Sequence, residues 1–384
     1  MASPVKRLLL VALLAAGLGF AILSYYDAPL NDQDTTIGSA PQAAAPAPAA
    51  SGASAARSPD DQVASASVPA GTETVAGPGV EVAPPAEEGP LLPFLERESF
   101  GHRAGLHKTK SDVNLSASAA LVIDQESGKV LLDKNVQSVL PIASLTKLMT
   151  GLVIAEANLP MDQPITITDD DVDSERHSRS RLRVGTTLTR TEALQLALMS
   201  SENRAAHALG RTYPAGLQAF VQAMNRKAQA LGMKSTTYVD PTGLATGNQS
   251  SAHDLALLAA AAAKHQLLAD YTTTAQHMLP LARGRTLVYN NSNRLVKSPN
   301  WDILLQKTGY IVEAGWCMLL DTQIGGHKLF VVLLDAGGAA SRIGDAERIR
   351  HWAAAQFGVP ARNVAPPAQP KGPRIEKHFK GHRS

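Results

Sequence analysis

Cysteine is nearly absent from this 384-residue sequence, which contains only Cys317. A single thiol can form neither a disulfide framework nor a cysteine-based zinc site. We expect Cys317 to be buried, because a free cysteine usually packs as a small hydrophobic side chain. The alternative, a catalytic cysteine, would need a placed histidine partner, and nothing in the sequence marks one.

Net charge and histidine spacing also exclude several classes of function. The formal net charge of +2 gives no general reason to expect a nucleic-acid partner. The eleven histidines include no His-Glu-x-x-His pair and no tight metal spacing, so surface or core positions are expected for them. The sequence therefore predicts no metal and no cofactor.

The first 26 residues have the pattern of an export signal. Lys6 and Arg7 precede Leu8–Leu23, which carries no charge, as a basic n-region precedes an apolar h-region. Leu8–Tyr26 is close to the roughly 20 residues that span a bilayer, so a membrane anchor and a cleaved signal both stay open. No small-x-small cleavage site follows at once, which slightly favours the anchor. Either way, the bulk of the chain is expected outside the cytoplasm, in the periplasm or tethered to the inner membrane.

Composition divides the rest of the chain into three segments. Residues 27–111 are dominated by Ala, Pro, Ser and Gly, and such a segment cannot bury enough apolar surface to offset the entropy of ordering. We expect a flexible linker there, a globular domain at 112–358 and a basic disordered tail at 359–384. A weak attraction of that tail to anionic wall polymer or lipid headgroups is the alternative to a merely solvated end. Its basic residues are Arg362, Lys371, Arg374, Lys377, Lys380 and Arg383.

Strand and helix signals in the globular segment predict an α/β (α+β) fold. The predicted strands are Ala117–Asp124, Lys129–Asp133, Ile303–Val312, Cys317–Thr322 and Lys328–Asp335. The predicted helices are Ser144–Ala157, Thr189–Met199, Asn203–Gly210, Leu217–Leu231, Ser251–His265 and Asp345–Phe357. Turn signals at Gln125–Gly128 and at Gly325-Gly326 join strands as hairpins, which implies an antiparallel sheet flanked by helices.

Three short motifs carry the chemistry of this domain. Ser144-Leu-Thr-Lys147 fits S-x-x-K, Ser201-Glu-Asn203 fits S-x-N, and Lys307-Thr-Gly309 fits K-T-G. In this order they are typical of class A β-lactamases and penicillin-binding proteins. Each motif alone is a weak signal, since Ser3–Lys6 and Ser298–Asn300 fit the first two as well. Context selects the set, because the three lie at a predicted helix start, at a helix–helix corner and on a strand.

Those contexts suit catalysis by a serine nucleophile. A serine hydroxyl needs a nearby base, and Lys147 is three residues from Ser144, on the same helix face. A lysine acts as a base only if its pKa falls, through burial or through a neighbouring cation such as Lys307. Ser144 at a helix N-terminus also lies in a positive local field, which favours a developing negative charge.

These motifs resemble the low-molecular-mass penicillin-binding proteins of the D-alanyl-D-alanine carboxypeptidase family. The resemblance covers roughly Ser116–Phe357. Within the family, the chain is most similar to the D,D-endopeptidase branch, sometimes called penicillin-binding protein 7. Two features favour that branch. One is the sequence Met-Ser-Ser-Glu-Asn-Arg-Ala-Ala, and the other is the short extent of the chain after the catalytic domain, where longer carboxypeptidases carry an extra β-rich domain. The segments that carry the resemblance are Pro141–Lys147, Leu198–Ala206, Asp240–Leu244, Asn291–Leu295 and Gln306–Tyr310 with Ala314-Gly315.

The resemblance implies a β-lactamase/transpeptidase-like fold and three catalytic residues. Ser144 would attack the carbonyl of the penultimate D-alanine of a peptidoglycan peptide. Lys147 would accept the serine proton, although the identity of the base is disputed across this superfamily. Ser201 would relay a proton to the leaving amine.

The resemblance also implies a set of substrate-binding residues. Asn203 would bind the substrate backbone by hydrogen bonds, and Lys307 and Thr308 would engage its carboxylate side. Gly309 would let the strand approach closely, and the backbone N–H of Tyr310 would complete an oxyanion hole with that of the nucleophile. β-Lactam antibiotics would be covalent inhibitors at this site.

Three other functions remain as alternatives to the endopeptidase. A D-alanyl-D-alanine carboxypeptidase uses the same acyl-enzyme path and differs only in its leaving group. A class A β-lactamase needs a glutamate between S-x-N and K-T-G, yet no Glu occurs from Arg204 to Gln306. We therefore expect penicillin to acylate Ser144 and to leave slowly. A non-enzymatic wall-binding protein would have degraded motifs, whereas all three are intact.

The segment Thr168–Arg183 changes from acidic to basic along its length. A solvated loop is the simpler interpretation, and a rim that contacts diaminopimelate carboxylates is the alternative. Its charged residues are Asp169, Asp170, Asp171, Asp173, Glu175, Arg176, Arg179, Arg181 and Arg183.

Overall fold

Eleven strands are present in the computed structural model, which describes residues 98–281 and 284–359. They are β1 (Ala119–Asp124), β2 (Val130–Lys134), β3 (Leu140–Pro141), β4 (Pro164–Thr166), β5 (Thr187–Thr189), β6 (Gln249–Ser250), β7 (Gln276–Pro280), β8 (Thr286–Asn290), β9 (Asp302–Ile311), β10 (Gly315–Ile324) and β11 (His327–Ala336). Five of them form an antiparallel sheet in the order β2-β1-β11-β10-β9. β9 is therefore an edge strand, and one of its sides is not covered by a further strand of this sheet.

Helices lie on both faces of the sheet. They are α1 (Phe100–Arg103), α2 (Thr146–Glu156), α3 (Arg190–Met199), α4 (Asn203–Arg211), α5 (Gly216–Ala230), α6 (Ala252–Ala262), α7 (Gln266–Thr273) and α8 (Ala339–Gln356). Short 3₁₀ turns occur at Leu106–Lys108, Ala143–Leu145, Asp169–Asp171 and Arg294–Lys297.

The central strands are apolar on both faces because each face packs against helices. On β11, Leu329, Val331 and Leu333 belong to the core that α8 covers. The intervening Phe330 and Val332 belong to the larger core that contains the remaining helices. This division follows from the two-residue period of a strand, which sends neighbouring side chains to opposite faces.

Helix α2 runs through the middle of the larger core. Every residue from Thr146 to Ile154 is buried, including the polar Lys147 and Thr150. A helix that is enclosed all round cannot present a charged side chain to water. The burial of Lys147 is thus a consequence of where the fold places this helix.

The structure confirms the predicted antiparallel sheet with flanking helices. Both predicted hairpins are present, and Gly325 and Gly326 have φ values of 59° and 88°, which glycine adopts without strain. The capping box of Thr189 and Glu192 forms in both directions at the start of α3. The hairpin prediction rested on local turn chemistry, and the capping box is a local feature of the same kind.

Several elements differ from the predictions. The last helix begins at Ala339 rather than Asp345, because the chain turns into the helix directly after Gly338. The helix predicted to reach His265 ends at Ala262, and α7 follows as a separate helix. The β7–β8 hairpin and the small ribbons β3–β6 and β4–β5 were not predicted, since short strands have weak periodic signals.

Some predicted segments lie mainly outside the described residues. These are the signal or anchor at 1–26, the linker before residue 98, and the tail after Val359. The linker prediction extends too far at its end, since α1 and a 3₁₀ turn occur within 98–111. The Phe100 N–H donates to Glu313 O at 2.9 Å, so this segment is held against the sheet. In the part of the chain that is described, no helix combines the length and apolarity needed to cross a membrane.

Candidate active site

Ser144 lies in the 3₁₀ turn that directly precedes α2. The preceding Ala143 has a φ of 47°, a conformation that residues other than glycine rarely adopt. Two glycines pack against this turn. A Cβ added at Gly243 would lie 2.0 Å from Ala143 O, and one added at Gly309 would lie 2.9 Å from Ser144 N. Close contacts that only glycine allows therefore fix the backbone of Ser144.

Lys147 is fully buried, and its Nζ has three oxygen neighbours. These are Ser144 Oγ at 3.0 Å, Asn203 Oδ1 at 2.7 Å and Thr242 O at 2.5 Å. The two carbonyl oxygens can only accept, so they take two N–H bonds from the lysine. A neutral amine then has its lone pair left for the Ser144 hydroxyl, which is the one neighbour able to donate. This is the geometry that a general base requires.

Burial shifts Lys147 towards the neutral amine. Desolvation lowers the pKa of Lys147 to about 7, although the negative charges of Asp240 and Glu202 act in the opposite direction. Burial also holds the pKa of Lys307 well below its usual range, and the positive charges of Lys147 and Arg342 lower it further. The sequence suggested two causes for a lowered pKa of Lys147, burial and a neighbouring cation. Burial is the cause that the structure supports.

The S-x-N motif occupies the corner between α3 and α4. Ser201 has a φ of 61°, another strained position for a non-glycine residue. Its Oγ lies 3.0 Å from Lys307 Nζ. Asn203 is the first residue of α4, and while its Oδ1 accepts from Lys147, its Nδ2 donates to Ser178 Oγ at 2.9 Å. The corner thus connects both buried lysines.

The K-T-G motif lies on the edge strand β9. Lys307 Nζ donates to Thr308 O at 2.8 Å, and Thr308 Oγ1 is 2.9 Å from Ser292 Oγ. Tyr310 is 47% exposed, and its ring stacks on Trp316 with centroids 4.2 Å apart. The structure brings the S-x-x-K, S-x-N and K-T-G residues into one connected group, with Tyr310 at its exposed end.

Asp240 is a site residue to which the sequence analysis assigned no role. Its carboxylate accepts five hydrogen bonds, and these fix the turn that presents Thr242 O to Lys147. The donors are the N–H groups of Thr242, Gly243 and Ala245, the Thr242 hydroxyl and the Asn248 side-chain amide. An Asp followed by Pro, Thr and Gly is a turn signal, and it was the available clue.

Arg342 of α8 supports the site from beneath the sheet. It is only 6% exposed, and its NH1 donates to Cys317 O at 3.0 Å and to Gly309 O at 3.4 Å. Its guanidinium lies over the Trp316 ring, 5.2 Å from the centroid. No sequence motif marks this arginine, because its partners lie on two strands far from it in the chain.

Possible metal ligands and the single thiol are the remaining reactive groups of the described residues. Within residues 98–281 and 284–359, no group of three or more His, Cys, Asp or Glu side chains could hold a metal ion. Cys317 is buried as predicted, and its Sγ donates to Ala314 O at 3.4 Å. Burial raises the pKa of the Cys317 thiol to about 12, so the thiol stays protonated at neutral pH.

The charged loop, residues Thr168–Arg183, has one anchored acid in its acidic half, whereas Asp169, Asp170 and Glu175 are exposed. Asp171 is buried and accepts from Arg211 NH2 at 2.7 Å, while His207 Nδ1 lies 2.7 Å from it. These contacts hold the pKa of Asp171 down at about 2 despite its burial. Arg181 and Arg183 in the basic half are both exposed, and Arg181 lies over the Tyr289 ring, 3.9 Å from the centroid.

This chain is similar to several known proteins. A family model described as D-alanyl-D-alanine carboxypeptidase matches residues 106–338. A D-alanyl-D-alanine endopeptidase of Pseudomonas aeruginosa is 45% identical over 239 residues, which cover 62% of this chain and 77% of that protein. One from Escherichia coli is 38% identical over 245 residues, covering 64% and 79%. A Streptomyces DD-transpeptidase of known crystal structure is 24% identical in sequence to this chain. The two structures match with a TM-score of 0.57 over 64% of this chain and 97% of that one, so they share the same fold.

Proposed function

We propose that this chain, which belongs to the D-alanyl-D-alanine carboxypeptidase family, is a serine D,D-endopeptidase. It would cleave peptidoglycan cross-links through an acyl-enzyme on Ser144. The observation that carries the proposal is the 3.0 Å contact between Ser144 Oγ and Lys147 Nζ, within a network that leaves the lysine lone pair facing the serine. A peptidase of this family needs that nucleophile–base pair and no cofactor.

Edge strand β9 supports a specific mode of substrate binding. An extended peptide can add to the open side of an edge strand, with its backbone hydrogen-bonded to that strand. The K-T-G motif lies on β9, directly beside the turn that contains Ser144. Asn203, at the opposite wall, has its side chain held by Lys147 and Ser178 and would orient the peptide from that side.

Acylation then proceeds with the groups already in place. Ser144 Oγ forms a bond to the D-alanine carbonyl carbon as Lys147 Nζ takes the hydroxyl proton. The carbonyl oxygen becomes an oxyanion, which the backbone N–H groups of Ser144 and Tyr310 would stabilise. The C–N bond breaks, and the proton taken from Ser144 passes through Ser201 to the leaving amine. The products of this half-reaction are a serine ester and a free amine.

Deacylation reverses the same proton transfers with water as the nucleophile. Lys147 accepts a proton from water, the water oxygen bonds to the ester carbon, and the C–O bond to Ser144 breaks. The peptide leaves with a new carboxylate, and the serine recovers its proton. Slow release of penicillin is expected here, because no glutamate lies between the S-x-N and K-T-G motifs to activate the deacylating water.

The leaving group separates the endopeptidase from the carboxypeptidase. An endopeptidase releases the side-chain amine of a cross-linked residue, whereas a carboxypeptidase releases free D-alanine. Support for the endopeptidase comes from the names of the Pseudomonas aeruginosa and Escherichia coli relatives. The test is to incubate the full chain separately with a cross-linked muropeptide dimer and with a monomeric pentapeptide, then to separate the products by chromatography.

Each outcome of that test has a clear meaning. The endopeptidase is supported if kcat/KM for cleavage of the dimer into monomers is higher than kcat/KM for release of D-alanine from the pentapeptide. Release of D-alanine from the pentapeptide with the dimer left intact identifies a carboxypeptidase. Ser144→Ala is the control, and both reactions should stop in it. Sustained hydrolysis of penicillin, rather than a stable labelled chain, would instead identify a β-lactamase.

The reaction is proposed to take place outside the cytoplasm. Lys6, Arg7 and the uncharged Leu8–Leu23 support export, because this is the order of an export signal. Fractionation of cells that express the chain with a C-terminal tag tests this. Recovery in the periplasm with a new N-terminus indicates a cleaved signal, and recovery in the membrane with the original N-terminus indicates an anchor. A cytoplasmic product contradicts the proposal.

A further inference from the structure

A cavity of about 670 Å³ lies beside the S-x-N corner, between the basic half of the charged loop and the end of β8. Its lining includes Arg179, Arg181 and Arg204, together with Glu202 and Tyr289. Glu202 is the central residue of the S-x-N motif, so the cavity begins directly behind Ser201 and Asn203. Ser178, which accepts a hydrogen bond from Asn203 Nδ2, also lines it. The cavity and the catalytic group thus share a wall.

The guanidinium groups of this cavity keep most of their hydrogen-bonding capacity. Arg181 donates to Val288 O, and Arg204 donates to Leu182 O at 2.6 Å. Arg179 is exposed on the loop surface. Each guanidinium carries five N–H donors in a planar fork that fits a carboxylate. Among residues 98–281 and 284–359, most of these donors have no hydrogen-bond partner and could bind a ligand.

Two buried polar atoms of the cavity lining have no partner in the described part of the chain. Glu202 is 7% exposed, and its Oε1 accepts no hydrogen bond there. Tyr289 is 1% exposed, and its hydroxyl is likewise unpaired. Buried polar atoms are nearly always hydrogen-bonded, so each such atom requires an explanation. An ion pair between Glu202 and a neighbouring arginine would satisfy the carboxylate, but none is formed among the described residues.

We propose that this cavity binds the free amino-acid end, an ammonium and a carboxylate on one carbon, of a diamino dicarboxylic acid residue in the substrate peptide. The ammonium would pair with Glu202, and the carboxylate would pair with Arg179 and Arg181. This inference rests on the proposed function, because it assigns the cavity to the peptide that reaches Ser144.

The combination of charges selects this chemical class over simpler ligands. A lone carboxylate would bind the arginines but would meet the negative charge of Glu202. A lone ammonium would bind Glu202 but would meet three positive charges, those of Arg179, Arg181 and Arg204. A group that carries both charges satisfies both sides of the cavity.

Three synthetic cross-linked peptides with the same scissile bond test the proposal on the full chain. The first has diaminopimelate with a free amino-acid end at the third position of the donor peptide. The second has lysine there and so lacks the end carboxylate, and the third has aminopimelate and so lacks the end ammonium. We expect kcat/KM to fall about tenfold for each truncated peptide, as charge-assisted hydrogen bonds at a partly exposed site are lost. Equal rates on all three peptides would overturn the inference.

Variants assign each half of the recognition to its residues. The double variant Arg179→Ala/Arg181→Ala should lose the preference for diaminopimelate over lysine, and Glu202→Gln should lose the preference over aminopimelate. Arg183→Ala is the matched control, since Arg183 is an exposed arginine of the same loop outside the cavity lining. Full retention of both preferences in the variants contradicts the assignment. Ratios of kcat/KM are compared, so a general loss of activity does not mimic the result.

A separate measurement distinguishes this inference from the proposed function. Labelled penicillin is added to the same preparation of the unsubstituted chain. If Ser144 is not acylated, the proposed function fails. If acylation is normal but the three peptides react equally, only the cavity assignment fails.

Discussion

Acylation of Ser144 should depend on pH through the protonation of Lys147. Only the neutral amine can take the serine proton, and burial lowers the pKa of Lys147 to about 7. The rate constant for acylation by penicillin should therefore rise about tenfold per pH unit well below that pKa and level off above about pH 8.

The magnitude follows from the two protonation equilibria. A lysine with its ordinary pKa of 10.5 would be neutral in roughly one molecule in 3,000 at pH 7. With a pKa of about 7, about half of the molecules have a neutral Lys147 at that pH. The buried position of α2 thus increases the population of active base by roughly a thousandfold.

A charge substitution should move this profile in a known direction. The negative charge of Glu202 raises the pKa of Lys147, so Glu202→Gln should shift the acidic limb of the profile to lower pH. Glu175→Gln is the matched control, because Glu175 is an exposed acid that is not among the groups acting on Lys147. Stopped-flow measurement with a fluorescent penicillin between about pH 5 and 9 gives all three profiles.

Three results would refute the reasoning. A rate constant that does not change across this pH range would show that Lys147 is not the titrating base. An acidic limb near the ordinary lysine pKa would show that burial does not lower the pKa of Lys147. A shift to higher pH in Glu202→Gln would contradict the assigned electrostatic effect.

Further predictions concern the support of the site. Gly309→Ala places a Cβ 2.9 Å from Ser144 N, and the resulting displacement should slow acylation about 100-fold in the same stopped-flow assay; a near-normal rate would show that the turn can yield. Asp240→Ala removes five hydrogen bonds and should lower the free energy of unfolding by about 2–4 kcal/mol in urea titrations, with slower acylation; unchanged stability would contradict the role of this turn. Cys317 should resist a thiol reagent at pH 8 until the chain is unfolded, because burial raises its pKa to about 12; rapid labelling of the native chain would show that the thiol is accessible.

Features that depend on neighbouring residues were predictable from the sequence. The capping box at Thr189 and the glycine pair at Gly325-Gly326 are complete within a few residues, so their structure follows from local chemistry. The relation of Ser144 to Lys147 is also local, because three residues make less than one helical turn. For these reasons the antiparallel sheet and its main flanking helices were predicted correctly.

Features that depend on distant residues were not predictable in the same way. The turn that Asp240 holds reaches Lys147 only through tertiary packing, and Arg342 meets β9 and β10 only after α8 has docked. Whether Lys147 loses its charge depends on the burial of a whole helix, which no motif encodes. The cavity beside Glu202 likewise forms from the charged loop, the S-x-N corner and β8 together.

The burial that makes Lys147 a base also costs the fold stability. Because its pKa falls from 10.5 to about 7, a protonated Lys147 destabilises the folded chain by roughly 5 kcal/mol relative to the same lysine in water. The folded-state pKa is the lower one, so this cost is fully present below pH 7 and disappears as pH rises towards 10.5. Asn203 Oδ1 and Thr242 O accept N–H groups of Lys147, which the amine has in either protonation state. The S-x-N corner and the Asp240 turn therefore hold Lys147 Nζ beside Ser144 before any substrate binds, while burial of the helix makes it a base.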